Sequence, residues 1–232
     1  MNHYFLVTYL PHLNTACPLE TSSRELFELL ETNLPLSDLI KIRDVRMLID
    51  VENIYRYIDG LPIDNRGLLS SLAALEEALT KQDFFPDMVF DFLKKYPSFS
   101  DRKAHFEELV FSVLDMFLNV HKGVLRRYFL FKKDLYTHLK KLRSPGFWDK
   151  IEKNDSLSDF ESSLTTLIQK LPISPKQTVN QLVELYFVEY ENWSSSKHFS
   201  FDYLVTYVFK LMLLEDYSCR NEKQKLELET IR

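Results

Sequence analysis

The stretch HKGVLRRYFLFKKDLYTHLKKLR, residues 121–143, sets eight Lys or Arg side chains among aromatic and aliphatic ones. Cations that neutralise phosphates and rings that stack on bases are what a single-strand nucleic-acid groove requires. The spacing argues for something else. At about 100° per residue, Val124, Tyr128, Phe131, Leu135, Leu139 and Leu142 draw one narrow helical stripe, with Phe129 and Tyr136 on its flank. Lys122, Arg126, Arg127, Lys133, Lys140 and Lys141 fall on the opposite side. The segment reads as an amphipathic helix with a cationic outer face. Such a face either keeps the helix solvated or meets an acidic protein partner; on the second reading Arg126, Arg127, Lys133, Lys140 and Lys141 are the candidate interface residues, and nucleic acid is not the expected partner.

Other reactive side chains do not converge. The histidines His3, His12, His105, His121, His138 and His198 include no pair at i and i+4 that would face one metal, so each reads as a surface or boundary residue. Glu76 with Glu77 and Glu107 with Glu108 are neighbours on helices, where side chains diverge by about 100° instead of flanking a substrate. Asp50, Glu52 and Asn53 offer oxygen atoms, but inside an amphipathic helix and without the twelve-residue spacing of a calcium loop. Cys17 and Cys219 stand at opposite ends with no CxxC or Cys/His spacing, which points to two idle thiols in a reducing compartment. HExxH, Walker-type, GxSxG and GxGxxG patterns are all missing. No catalytic residue, metal ligand or cofactor site is expected.

The elements that would carry these residues are helical. Four glycines in 232 residues, no Gly-led hairpin signals and apolar residues recurring at three and four predict an all-α bundle of about eight to ten helices. YFLVTYL, residues 4–10, reads as a short buried element. A first helix is expected from the Ser22/Ser23 cap of SSRELFELLE, and a second from about Ser37 to Tyr57, stopped by Gly60 and Pro62. GLPIDNRGLL is the densest turn cluster, with Ser70 or Ser71 capping SLAALEEALTK behind it. Pro86 and Pro97 bracket a helix of about ten residues, and Ser100 caps a long one that runs towards Gly123, where it bends or breaks. Trp148 and Trp193 are placed at helix boundaries beside polar loops, where an indole keeps its N–H wet. The segment from about Ser200, with Phe201, Leu204, Val205, Val208, Leu211 and Met212 on one side and Phe209, Leu213 and Leu214 elsewhere, reads as a central core helix.

The chain is expected to form one helical domain over 1–232, divisible into lobes 1–143 and 156–232 by the polar connection 144–155. No run approaches the roughly 20 apolar residues of a bilayer span, and no signal-peptide pattern opens the chain, so a cytoplasmic location is expected. The formal charge is −5, yet residues 121–143 carry eight cations against Asp134 alone, a local +7 that leaves −12 to the rest. Such polarity favours oriented docking.

Several blocks, in order, resemble a little-characterised bacterial family encoded in operons for V/A-type rotary ATPases and described as related to the C (or d) subunit of those machines. They are HYFLVTYLPHL; RDVRMLIDVENIYRYIDG through Asp50 and Asn53; PIDNRGLLSSLAALEEAL through Arg66 and Gly67; FPDMVFDFLKKYP; Asp101, Arg102, His105 and Phe106; GVLRRYFLFKKDL; and SFDYLVTYVFKLMLLEDY. The likeness fades over 144–198. The resemblance implies a helical fold like that of the V-type ATPase C (or d) subunit, and a non-catalytic adaptor between the central stalk and the membrane rotor ring. Its partners would be other ATPase subunits, and its place the inner face of the membrane, without a span of its own. A helical interaction scaffold outside such a machine, a nucleic-acid-binding helical protein, and an enzyme assembled from distant carboxylates are the alternatives.

Overall fold

The structure is a computed structural model that describes residues 3–15, 19–143, 159–170, 175–194 and 199–230. Among these residues there are ten helices and no strand: α1 Tyr4–Tyr9, α2 Ser23–Asn33, α3 Leu36–Ile58, α4 Leu72–Lys81, α5 Asp87–Lys95, α6 Phe99–Val120, α7 Gly123–Arg143, α8 Asp159–Lys170, α9 Pro175–Ser194 and α10 Phe201–Thr230. The expected all-α bundle is what forms. None of the described helices is long and apolar enough to cross a membrane. The connection 144–155, Trp148, Cys17, His198 and the loop before Phe199 lie outside the described residues, as do the side chains of His138 and Cys219.

The chain divides into two compact units, one of residues 31–141 and one of residues 1–30 with 142–232. In the first, α3 packs on α4 and α6, and α5 packs on α6. Val45 and Val51 of α3, Leu75 of α4, Val89 of α5, Val110 and Val113 of α6, and Phe129 of α7 are all sealed from solvent. Each such side chain contributes roughly 1.5–3 kcal/mol on burial, which makes this seam the main adhesive of the unit. In the second unit α10 packs along α9, α9 on α8, and α1 on α10. Leu204, Val205, Tyr207, Val208, Phe209, Leu211 and Leu214 of α10 are buried around most of its circumference. Trp193, at the end of α9, packs against Tyr190 and Phe209 and donates its indole N–H to Glu189 at 2.9 Å.

Local chemistry sets the helix starts. Ser22 and Glu25 form a reciprocal capping box: Glu25 N donates to Ser22 Oγ at 3.2 Å, and Ser22 N donates to Glu25 Oε2 at 2.8 Å. Ser71 caps α4 by accepting from Ala74 N at 3.2 Å. The long α6 starts two residues earlier than its expected Ser100 cap. Ser98 accepts from Asp101 N at 3.1 Å and donates to Asp101 Oδ2 at 2.7 Å, and this paired arrangement outcompetes a lone serine.

Three expectations need correction. A helix, α1, precedes the one that starts at Ser23, and it is not a buried element. Only Leu6 is enclosed, while Tyr4, Phe5 and Tyr9 are 54, 67 and 70% exposed, because six residues on one other helix can bury a single face. His3 and His121 are buried, not boundary residues. On α7 the buried stripe is Val124, Leu125, Tyr128 and Phe129, with Phe131 and Leu135 half-buried. The stripe is rotated because Phe129 stacks on Phe117 at 4.7 Å, a contact set by the turn between α6 and α7.

Candidate functional site

Two polar constructions stand out in the unit of residues 31–141. The first fastens the loop 61–70 to α3. Asp50 and Asn53 are three apart and share a helical face, and both are fully buried. The Asp50 carboxylate accepts from Leu68 N at 2.8 Å and Leu69 N at 3.2 Å. Asn53 bonds the loop backbone twice, its amide donating to Asp64 O at 2.8 Å and its carbonyl accepting from Asp64 N at 2.6 Å. One turn earlier, Arg46 donates to Arg66 O at 3.1 Å and Gly67 O at 2.7 Å. Arg66 closes on Asp64 through Nε at 2.8 Å. Gly67 is required by space: a Cβ there would lie 2.0 Å from Asp50 Oδ1. The Asp50/Asn53 pair and the Arg66/Gly67 pair, from separate stretches of sequence, thus meet in one motif.

Burial dominates at Asp50 and pushes its carboxyl from 3.8 up to about 6, against the pull of the Leu68 and Leu69 amides and the Arg46 charge. Burial also raises Asp64, but hydrogen bonds and charge from Arg66 outweigh it and hold that carboxyl below the usual range. Glu52 takes no part. Two residues from Asp50, it points elsewhere and accepts from Lys132 Nζ at 3.2 Å and Tyr136 Oη at 2.9 Å, both on α7. Asp50, Glu52 and Asn53 are therefore not brought together as ligands. Burial, with the Glu52 charge beside it, pushes the Tyr136 phenol well up, so it remains a donor.

The second construction is the elbow between α6 and α7. Gly123, at φ +63°, begins α7 in a left-handed conformation that L side chains rarely adopt, so the long helix breaks there. His121, on the α6 side, is buried between Phe117 and Phe129 and bonds Asp44 of α3 through Nε2 at 2.8 Å. Arg126 reaches back over the elbow to donate to Leu118 O, near the carbonyl end of α6. Lys133 pairs with Asp115 of α6.

The candidate cations consequently divide. Arg126 and Lys133 bond within the fold, Arg127 is exposed with no partner among the described residues, and Lys140 and Lys141 lie on α7 with side chains outside the described set. Tyr128 and Phe129 are enclosed, so the rings nearest these charges are not a stacking platform. Sequence spacing placed the cations on one face but missed their partners, because Asp115 and Leu118 become neighbours only once the elbow folds α7 back. Among the described residues no group of three His, Cys, Asp or Glu side chains is placed to hold a metal ion.

The family described as "Protein of unknown function (DUF2764)" matches residues 1–146. An uncharacterized protein of Chlamydia muridarum is 30% identical over 142 residues, covering 57% of this chain and 52% of the relative. One of Chlamydia trachomatis serovar D is 31% identical over 137 residues, with the same coverage. The chain spans about half the length of these curated relatives. No solved structure matches.

Proposed function

The chain belongs to the DUF2764 family, and we propose that it is a non-catalytic, helical subunit of a V/A-type rotary ATPase, an adaptor that couples the central stalk to the membrane rotor ring. The observation that carries this reading is the cross-bracing of α3. Over 23 residues, about 34 Å of helix, its polar side chains tie it to the loop 61–70 through Arg46, Asp50 and Asn53, to the elbow through Asp44, and to α7 through Glu52. A part that transmits torque must not bend between its two contacts. Bracing of one long helix at several levels, most of it by buried or half-buried groups, is how an α-only unit gains that stiffness. The ordered resemblance to the ATPase-operon family supplies the machine, and the cationic face of α7 supplies a surface for an acidic stalk or ring protein.

The deciding experiment is affinity purification of the tagged chain from native membranes, with partners identified by mass spectrometry. Co-purification of stalk and ring subunits in stoichiometric amounts is expected. Recovery of an intact ATPase through another tagged subunit, without this chain, would overturn the reading and leave the scaffold alternative.

A further inference from the structure

The unit of residues 31–141 carries an open groove of about 550 Å³ where the end of α3, α4, α5 and the start of α6 meet. Ile54 and Phe90 form a buried floor, and Tyr57, Leu79, Leu93 and Phe99 rise from it half-buried or exposed. Phe99 is 55% exposed, although it stands edge-on to Tyr57 and beneath the Arg102 guanidinium. Charges around the groove behave in two ways. Those just outside are matched: Glu77 with Lys81, Lys95 with Glu108, Lys103 with Asp59. Those that line it are not. Glu76 on α4 and Lys94 on α5 form no ion pair among the described residues, and Arg102 bonds only to the carbonyls of Tyr96 at 2.7 Å and Leu93 at 3.3 Å.

We propose that this groove receives an amphipathic helix of a partner protein, one that sets an apolar anchor between a basic and an acidic side chain. The unmatched acid on α4 and unmatched bases on α5 and α6 call for opposite charges on the occupant's two flanks. That requirement disfavours a polyanion, which Glu76 would repel. Walls made of helices offer no free strand edge, so an extended peptide would leave its own backbone groups unbonded, whereas a helix satisfies them internally. The inference stands apart from the ATPase reading and concerns a different face from the α7 cations.

The test uses the full chain and fluorescein-labelled stapled helices with leucine anchors, flanked by one Lys and one Glu, by two Glu, or by two Lys. Fluorescence anisotropy should show saturable binding with preference for the mixed helix. Phe99→Ala, a change at an exposed residue, should weaken it roughly fivefold or more. Glu76→Lys should weaken the mixed helix about two- to fivefold and shift preference to the helix with two Glu flanks. Circular dichroism of both variants separates lost binding from lost fold, and Glu76→Lys decides alone if Phe99→Ala perturbs the helices. No saturable binding by any helix, or equal affinities indifferent to both variants, would overturn the proposal. So would self-association of the chain in sedimentation velocity that Phe99→Ala abolishes, since a second copy would then be the occupant.

Discussion

At the residue scale, Asp50 sets up a measurable conflict. Its carboxylate is fully buried, and its pKa of about 6 lies above the ordinary 3.8, so folding takes up a proton between those values. The stability that this proton uptake contributes is fully present below about pH 4 and is lost as pH rises through about 6. Asp50→Asn cannot titrate. Its cost in urea unfolding should therefore be larger at pH 4 than at pH 7.5, by about 2 kcal/mol. Asp64 titrates in the opposite sense, its depressed pKa giving stability that is lost on acidification, but it is common to both proteins and cancels in the difference. A cost that does not change with pH would show that folding leaves the Asp50 pKa at its ordinary value. Gly67→Ala tests the same motif by shape. The added Cβ drives the carboxylate off the Leu68 and Leu69 amides and should cost about 2–4 kcal/mol by denaturation midpoint. Much of that cost should vanish in an Asp50→Ala background, because the clash is with the carboxylate itself.

At the scale of elements, helix termini carry energy that substitution can read. Ser98→Ala removes the side-chain acceptor for Asp101 N and should cost about 1 kcal/mol, visible as faster hydrogen exchange in the first turn of α6. At α2 the arrangement is less usual, since Glu215 of α10 accepts from both Ser23 N, at 2.6 Å, and Ser23 Oγ. Glu215→Ala leaves a buried serine with two unanswered donors and should cost about 2–3 kcal/mol, lowering the thermal midpoint. The helices themselves were legible because their apolar period is local: Val110, Val113, Leu114 and Phe117 announce α6 without knowledge of any neighbour. The burial of Phe129 was not, because it depends on Phe117 across an elbow whose angle no period encodes. Asp50 and Asn53 were legible as one helical face, yet their loop partners and the space demanded at Gly67 emerge only from the folded chain. Glu215 of α10 bonds Ser23 at the start of α2, 192 residues away, and leaves no local trace.

At the scale of the whole molecule, the asymmetry of charge sets how the cationic face can act. Residues 121–143 hold +7 within a chain of −5, a polarity along the sequence that would favour oriented docking of an acidic partner. Part of that charge is committed inside the fold: Lys132 to Glu52, Lys133 to Asp115, Arg126 to the Leu118 carbonyl. Lys122 and Arg127 are exposed and have no partner among the described residues. Reversal at these two positions therefore separates assembly from stability. Lys122→Glu with Arg127→Glu should change unfolding free energy by no more than about 0.5 kcal/mol, as expected for surface sites without partners. Lys133→Glu should destabilise the chain itself, since it sets a carboxylate against Asp115 at the α6–α7 contact. On the proposed adaptor reading, the double variant should recover less of the ATPase subunits in pull-downs than the wild type. The deficit should show most in how quickly assembly falls away as salt rises, because Debye screening near 8 Å at 0.15 M already weakens exposed pairs. Equal recovery of the double variant and the wild type at both 0.05 and 0.3 M salt would remove Lys122 and Arg127 from the contact and direct the search to Lys140, Lys141 and other surfaces of the chain.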